Sequence, residues 1–459
     1  MKFNRRSINL FDKSYTYFHI DEFSRDAIVA SALKKKLKEK GIHLLYGNRI
    51  ISFLVFKFPW LLSFCNSLIF PSVDVYKSYF LNNIKSNLEI FILPTESISG
   101  TRDTEYRLKL HLLGSDFNNN NFQLQFTKIN KIFLWGNFHK KIITNQYPDL
   151  ETKLLVIGHP RYDRDCINIY SKTRLQNKIN IGFVSRFDLI NIYDSRSNLD
   201  LIFNNRKIPG KIQYFQCDQR DQEDYYHNAV LDLRIIFLLL DSIDLNKFNV
   251  HLRVHPRENR SNWQKLINQN SIPLIISEYG QPFTHWLSVI DLVLSPPSTT
   301  FYDYSILGKS AILTDRICAS RLNHASVVSD DFDPIFDHYK RPNSINETLE
   351  LINNYKIGSN SCTVNNENEL FEILYNEVNY PFQNYSLDKV AQEIVSASLK
   401  GNFYTFLSYI LFLNISLLFT YLLFWYRFIN RKIDESANFL LTFRNIRKIN
   451  SLVYQLENK

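Results

Sequence analysis

Cysteine, glycine and concentrated charge are all scarce in this chain of 459 residues, and each shortage closes off a class of function. The five cysteines, Cys65, Cys166, Cys217, Cys318 and Cys362, stand far apart, with no CxxC pair and no histidine at metal-ligand spacing. That pattern argues against a zinc module or a disulfide scaffold; reduced, structural thiols in a cytoplasmic setting and no bound metal are expected. The twelve glycines form no GxGxxG, which leaves the dinucleotide-binding variant of an α/β fold unsupported. The formal net charge is +9, yet the basic residues are scattered, and the densest run, KKKLKEK from Lys34 to Lys40, reads as the solvated end of a helix. No nucleic-acid partner is expected from it. The opening MKFNRRSINLFDKSYTYF lacks a sustained apolar core, so no secretory signal is expected, and no internal repeat is visible.

Charge is missing altogether from residues 401–426, GNFYTFLSYILFLNISLLFTYLLFWY, a run long enough to cross a hydrocarbon layer of about 30 Å. Tyr404, Tyr409, Trp425 and Tyr426 lie toward its ends, as interfacial aromatics do. The plainer reading, a buried core helix, needs partners on every side. Beyond the run, Arg431, Lys432, Arg444, Arg447 and Lys448 alternate with Phe439, Leu440, Leu441, Phe443, Ile446 and Ile449, a basic amphipathic pattern suited to an anionic membrane face. A single crossing from cytoplasmic domains places this tail outside, against the positive-inside bias, so an interfacial or re-entrant course competes with a span.

With 45% hydrophobic and 22% charged residues, the remainder is the composition of a folded protein, long enough for two substantial domains. Strand-like and helix-like segments alternate. Tyr15 to Ile20 reads as a strand. Ser24 to Lys40 follows as a helix with Ile28, Val29, Ala32, Leu33 and Leu37 on one face and Gly41 as its C-cap, and Ile42 to Tyr46 completes a βαβ unit. Ile50 to Phe70, interrupted by Lys57 and Pro59, reads as a buried or interfacial helix pair. Further strands are expected at Leu88 to Leu93, Lys131 to Trp135 and Leu154 to Ile157, with a helix from Asn137 to Gln146; the four asparagines 118–121 read as a loop. Tyr162 to Lys178 is the expected connection to a second α/β domain. That domain has strands at Ile179 to Val184, Val250 to Val254, Leu274 to Ser277, Leu292 to Leu294 and Ala311 to Thr314, and a long helix from Asp221 to Leu240. Glu367 to Leu399 reads as a returning helical segment. The fold class is therefore α/β with two Rossmann-like domains, at 1–165 and 166–400, a membrane-associated helix at 401–427 and a basic tail at 428–459.

Four constellations carry the candidate chemistry. Ser298, Thr299 and Thr300 open a helix after the strand ending at Leu294, where amides and the positive dipole end can hold a diphosphate, and Asp303 lies one turn inside. Those hydroxyls are equally ordinary helix caps. Arg253, His255 and Glu258 stand where another strand ends; in a parallel sheet they face the same crevice, and Arg and His can bind a leaving phosphate. Alternatively, His255 caps a turn and Arg253 pairs with a surface carboxylate. Gly158, Pro160, Arg161 and Asp163 mark the junction between domains, as a substrate-contacting cleft turn or as a hinge held by a local ion pair. His19, Asp21, Glu22, Arg25 and Asp26 surround the end of the first strand, where His19 or Glu22 is a candidate general base for an acceptor hydroxyl; Asp21 or Ser24 serves as well for a helix cap.

The segments WGNFHKKIITNQYPDLETKLLVIGHPRYD, RVHPRENRSNW and HWLSVIDLVLSPPSTTFYDYSILGKSAIL, in that order, resemble the bacterial surface carbohydrate biosynthesis proteins, and the same pattern is similar to the CDP-glycerol glycerophosphotransferases. Glu22, Gly41, Gly47, Tyr76-Lys77-Ser78 and Glu96 extend the resemblance into the N-terminal half. It implies the two-Rossmann-domain B-type glycosyltransferase fold. It also implies that Arg253 and His255 contact the donor phosphates, that Ser298 and Thr299 form the helix start receiving them, and that Asp303 lies near the donor ribose or sugar. Gly158, Pro160, Arg161 and Asp163 match the cleft turn. Two departures stand out: Pro296-Pro297 replaces a glycine or an Asp-Tyr pair, and His159 replaces Asn or Tyr.

The resulting expectation is a metal- and cofactor-independent transferase at the bacterial inner membrane, with its catalytic domains cytoplasmic. It moves a sugar or polyol phosphate from a nucleotide-sugar or CDP-polyol donor to a lipid-linked or surface glycan acceptor. The rivals are a nucleotide-sugar 2-epimerase, whose soluble substrates fit the uncharged run poorly, and a non-catalytic glycan-binding or scaffold subunit of an export assembly, which predicts no nucleotide binding.

Overall fold

The computed structural model describes residues 14–20, 23–47, 51–52, 58–62, 64–72, 88–95, 129–167, 178–185, 191, 230, 232–255, 258–278, 281–317, 334–357, 367–381, 385–397, 409–416 and 418. They fall into two compact units, one drawn from Met1–Ile98, Asp103–Ile169 and Phe371–Lys459, the other chiefly from Tyr170–Leu370. Each unit is built on its own parallel sheet.

The first unit opens with β1 (Ser14–His19), α1 (Phe23–Glu39) and β2 (Ile42–Gly47). All six residues of β1 are buried, the signature of a parallel strand covered on both faces. Ile28, Val29, Ala32, Leu33 and Leu37 are buried on α1, as the helical spacing predicts, and Gly41 ends the helix at φ +79°, a left-handed conformation that glycine adopts without a Cβ penalty. Next come β3 (Ser67–Phe70), β4 (Glu89–Ile92), β5 (Ile129–Leu134), α2 (Asn137–Gln146), β6 (Leu154–Val156) and the short α3 (Arg164–Ile167). The stretch expected to be a helix pair, Ile50 to Phe70, differs. It holds a 3-10 turn at Pro59–Leu62 and then β3, because SLIF is short, fully buried and pairs on one side with β1 and on the other with β4. The sheet order is β2-β1-β3-β4-β5-β6, so the chain reverses its direction of travel between β1 and β3.

The second unit contains β7 (Ile179–Val184), a helix over 232–240, β8 (Phe248–Arg253), α4 (Arg260–Asn270) and β9 (Leu274–Ile276). Then follow α5 (Phe283–Ser288), β10 (Leu292–Ser295), α6 (Thr300–Ile306), β11 (Ser310–Leu313) and α7 (Ile345–Asn353). All pairings are parallel and the order is β11-β10-β7-β8-β9, placing the reversal between β7 and β10. Two α/β units of Rossmann-like topology thus stand as the sequence alternation predicts. Gly182 of β7 is required by packing: a Cβ there would lie 2.6 Å from the Trp286 ring, which is itself 2% exposed.

The last helices are α8 (Glu367–Val378) and α9 (Ser386–Ala397). From Phe371 onward the chain belongs to the first unit. Lys36 on α1 bridges Asp165 at 2.8 Å and Asp388 on α9 at 2.9 Å. Ser386 Oγ donates to Ile157 O at 2.8 Å, sealing α9 against the end of β6. Of the uncharged run, only 409–416 and 418 are described, and they are helical. Tyr409 stacks on Tyr15 at 4.8 Å and Phe412 is 5% exposed in the core of the first unit. Among the described residues no helix is long and apolar enough to cross a membrane. Most of 401–427, the whole tail, Glu22, Asp21, Tyr76-Lys77-Ser78, Glu96 and the asparagine run lie outside the described residues.

Candidate functional site

In an open parallel sheet, ligands bind beyond the carboxyl ends of the strands where the order of the sheet reverses. In the second unit that point lies beyond β7 and β10, and Arg253 ends the neighbouring strand β8 on the same edge of the sheet. Ser185 follows β7 directly, fully buried; its Oγ donates to Arg253 O at 3.0 Å and accepts from His255 N at 2.9 Å, locking the end of β8 to the end of β7. His255 is half-buried beside it. The Arg253 guanidinium donates to Gln281 O at 2.6 Å and lies 5.8 Å from the Phe283 ring centre. Glu258 is 2% exposed and accepts from Trp263 Nε1 at 2.7 Å, which makes it a fixed support for α4. Pro256 and Arg257 lie outside the described residues.

After β10 the turn Pro296–Thr299 is half-buried, open enough to meet a ligand. The amides of the first turn of α6 bond back to it. Thr300 N donates to Ser298 Oγ at 3.4 Å, Phe301 N to Ser298 O at 3.1 Å and Tyr302 N to Thr299 O at 3.2 Å, while the two prolines carry no N–H. Thr299 is the N-cap and makes no side-chain cap bond, and Thr300 Oγ1 donates to Tyr304 Oη at 2.8 Å. The hydroxyls of Ser298 and Thr299 thus stand at the start of α6. Asp303 is fully buried on α6, so the acid expected at an open ligand site is closed off from solvent here. Burial likewise pushes the neighbouring Tyr304 phenol well up from its usual range. Beneath the reversal point, a cavity of about 20 Å³ lined by Phe183, Val184, Ile236, Leu294, Pro296 and Thr314 has room for one water.

In the first unit the reversal lies beyond β1 and β3, and His19 is the last residue of β1. It is 1% exposed, with Nδ1 at 2.6 Å from Ser52 Oγ. Ser52 also meets Tyr17 Oη at 2.8 Å and donates to Gly47 O at 3.3 Å. Ser52 thus joins Tyr17, His19 and Gly47 in one buried hydrogen-bonded group.

The WG and GHPRYD motifs meet in this unit. Trp135 Nε1 donates to Pro94 O at 2.9 Å, and its ring stacks on His159 at 4.0 Å. A Cβ on Gly136 would fall 1.9 Å from Asn376 O, so glycine is required for α8 to approach. His139 Nε2 lies 3.4 Å from the Glu377 carboxylate on that helix. Gly158 has φ +91°, and Pro160 begins a 3-10 turn in which His159 Nδ1 accepts from Arg161 N at 3.1 Å. Arg161 lies over Tyr162 at 5.5 Å and reaches its hydroxyl at 3.4 Å. Asp163, fully buried, accepts from Leu387 N at 2.8 Å and Asp165 N at 3.0 Å, starting α9 and α3 together. Burial pushes its carboxyl up to about 6, against the downward pull of those two amides and of Lys36. Asp163 thus joins elements of the first unit. Sequence reading missed Ser185, Ser52 and the Trp135–His159 stack; a lone serine after an apolar strand was the only signal of the first.

No family model matches the chain, and no curated protein matches it. Among solved structures, an S. aureus MnaA–UDP co-structure aligns at TM-score 0.43 and 11% identity, over 83% of this chain and 96% of the other. A UDP-GlcNAc 2-epimerase of Methanocaldococcus jannaschii, in complex with UDP-GlcNAc and UDP, aligns at 0.45 and 10%, over 84% and 99%. A variant of the wall teichoic acid polymerase TagF aligns at 0.50 and 11%, over 84% of this chain and 89% of that one. The likeness to TagF is one of fold: two Rossmann-like α/β units, here each with polar residues gathered where its parallel sheet reverses.

Proposed function

We propose that the protein is a transferase that moves a sugar or a polyol phosphate from a nucleotide-activated donor, bound in the second unit, to a hydroxyl of a lipid-linked or surface glycan acceptor. One feature of the fold supports this reading: β8, which ends at Arg253, and β10, which leads into Ser298 and Thr299, flank β7 in parallel, so all three end on the same edge of the sheet, where an open parallel sheet takes phosphorylated ligands. The acceptor oxygen attacks the activated carbon or phosphorus, the bond to the nucleotide's phosphate oxygen breaks, and the hydroxyl proton passes to a base. His19 or Glu22 is our choice for that base. The growing charge on the leaving phosphate is met by Arg253, His255 and the Ser298 and Thr299 hydroxyls. The chemistry asks for no resident cofactor.

Binding of CDP, CMP, UDP and GDP to the wild type and to His255→Ala and Ser298→Ala tests the site. Loss of a hydrogen bond to a charged phosphate predicts roughly 10- to 100-fold weaker binding in each variant. Equal affinity in all three proteins removes the assignment, and epimerised product formed from donor alone replaces the reading with the 2-epimerase.

A further inference from the structure

The first unit leaves two apolar features in solvent on segments that pack into the same core. On the helix over 409–416, continued at 418, Tyr409, Phe412, Leu413 and Ser416 turn inward, while Ile410, Leu411 and Leu418 are 39%, 48% and 57% exposed. Asn414, the one polar residue on the outward stripe, folds its Nδ2 onto Ile410 O at 2.9 Å, the arrangement that hides an amide from an apolar medium. The 3-10 turn Pro59–Leu62 behaves alike: Leu61 and Leu62 enter the core, while Phe58 and Trp60 are 45% and 51% exposed. Phe64, two residues beyond that turn, packs in the core against the inward side of the helix, 5.7 Å from Tyr409 and 5.5 Å from Phe412. Solvent gives no return for holding five large apolar side chains out on one unit.

We infer that Phe58 and Trp60, with Ile410, Leu411 and Leu418, form one lipid-facing surface that seats the first unit on an anionic bilayer. The inference rests on the membrane-acceptor reading and adds to the C-terminal run a second contact far from it in sequence. Lipid is favoured over a protein partner by what adjoins the patch in the chain. Residues 401–426 carry no charge, and Arg427, Arg431, Lys432, Arg444, Arg447 and Lys448 follow. An uncharged run with a basic flank complements anionic headgroups, and an exposed Trp on the same unit suits the depth where indole partitions.

The full chain is mixed with vesicles of phosphatidylglycerol and phosphatidylethanolamine carrying a shallow doxyl quencher. Fluorescence is compared between the wild type and Trp60→Phe, and partitioning between the wild type and the double variant Phe58→Ser/Trp60→Ser. We expect a quenched component that disappears in Trp60→Phe, and at least about tenfold weaker partitioning of the double variant. Equal quenching in Trp60→Phe, or unchanged partitioning of the double variant, overturns the inference. So does lipid-free self-association abolished by the double variant, or Trp60 becoming quenchable only after residues 428–459 are deleted, since a second copy or the tail then covers the patch. Nucleotide-induced stabilisation is recorded on the same samples. Nucleotide binding without Trp60 quenching removes this surface alone, whereas quenching without nucleotide binding removes the transferase reading alone.

Discussion

Asp163 shows how a motif residue can be read correctly as important and still be assigned the wrong neighbours. Its sequence position suggests a hinge salt bridge with Arg161, but both its oxygens accept backbone N–H groups, from Leu387 and Asp165. Asn supplies one acceptor oxygen instead of two, so Asp163→Asn leaves one amide unpaired and costs about 1–3 kcal/mol at neutral pH, measurable by urea unfolding. The same group sets a pH dependence. Its folded-state value, about 6, lies above the unfolded value near 3.9, so protonation favours the folded state. That contribution is complete below about pH 4 and lost as pH rises through 6. The stability advantage of the wild type over Asp163→Asn therefore shrinks across this window, by up to about 3 kcal/mol. A difference that stays flat from pH 4 to 6.5 excludes the raised value. At Gly158, with φ +91°, an alanine costs roughly 1–2 kcal/mol through its Cβ alone, and a thermal melt of Gly158→Ala reads it directly.

At the scale of elements, the ends of strands are where the interactions concentrate. Asp315, just past β11, accepts from Arg341 Nη2 at 2.5 Å, with side chains 2% and 8% exposed, and Lys340 O receives Leu313 N at 2.9 Å. This pins the segment after residue 338 to the edge of the second sheet. Arg341→Ala strands a buried carboxylate and should cost about 3–5 kcal/mol, whereas replacing both residues with apolar ones of similar volume should recover much of it. A double-mutant cycle in denaturant checks both expectations. The alternation of strands and helices was legible because parallel strands buried on both faces read as apolar runs, and α1 because its apolar spacing is helical. The 51–70 region was not legible. An apolar run broken by Lys57 and Pro59 has no period that separates a 3-10 turn plus a four-residue strand from helix, and only pairing of β3 between β1 and β4 decides it.

At the scale of the whole molecule, each unit has its own buried core, one centred on residues such as Tyr17, Phe70 and Leu134, the other on Phe183, Leu252 and Leu294. A nucleotide that binds the second unit should slow amide exchange around 250–258 and 292–307 and leave the β1 and β3 amides unchanged. Protection confined to the first unit's strands would put the donor on the wrong domain. By itself the sequence determined the α/β class, the two-unit organisation and which strand ends carry polar side chains, because burial on both faces and helix periodicity are local properties of the chain. Only the tertiary structure decided which strand ends meet. Sheet order is set by non-local pairing, and that order brings Ser185 beside His255, Trp135 onto His159 and Ser52 under His19, contacts spanning from 24 to 70 residues of sequence. It also decided that the Thr300, Phe301 and Tyr302 amides at the start of α6 bond back to Ser298 and Thr299.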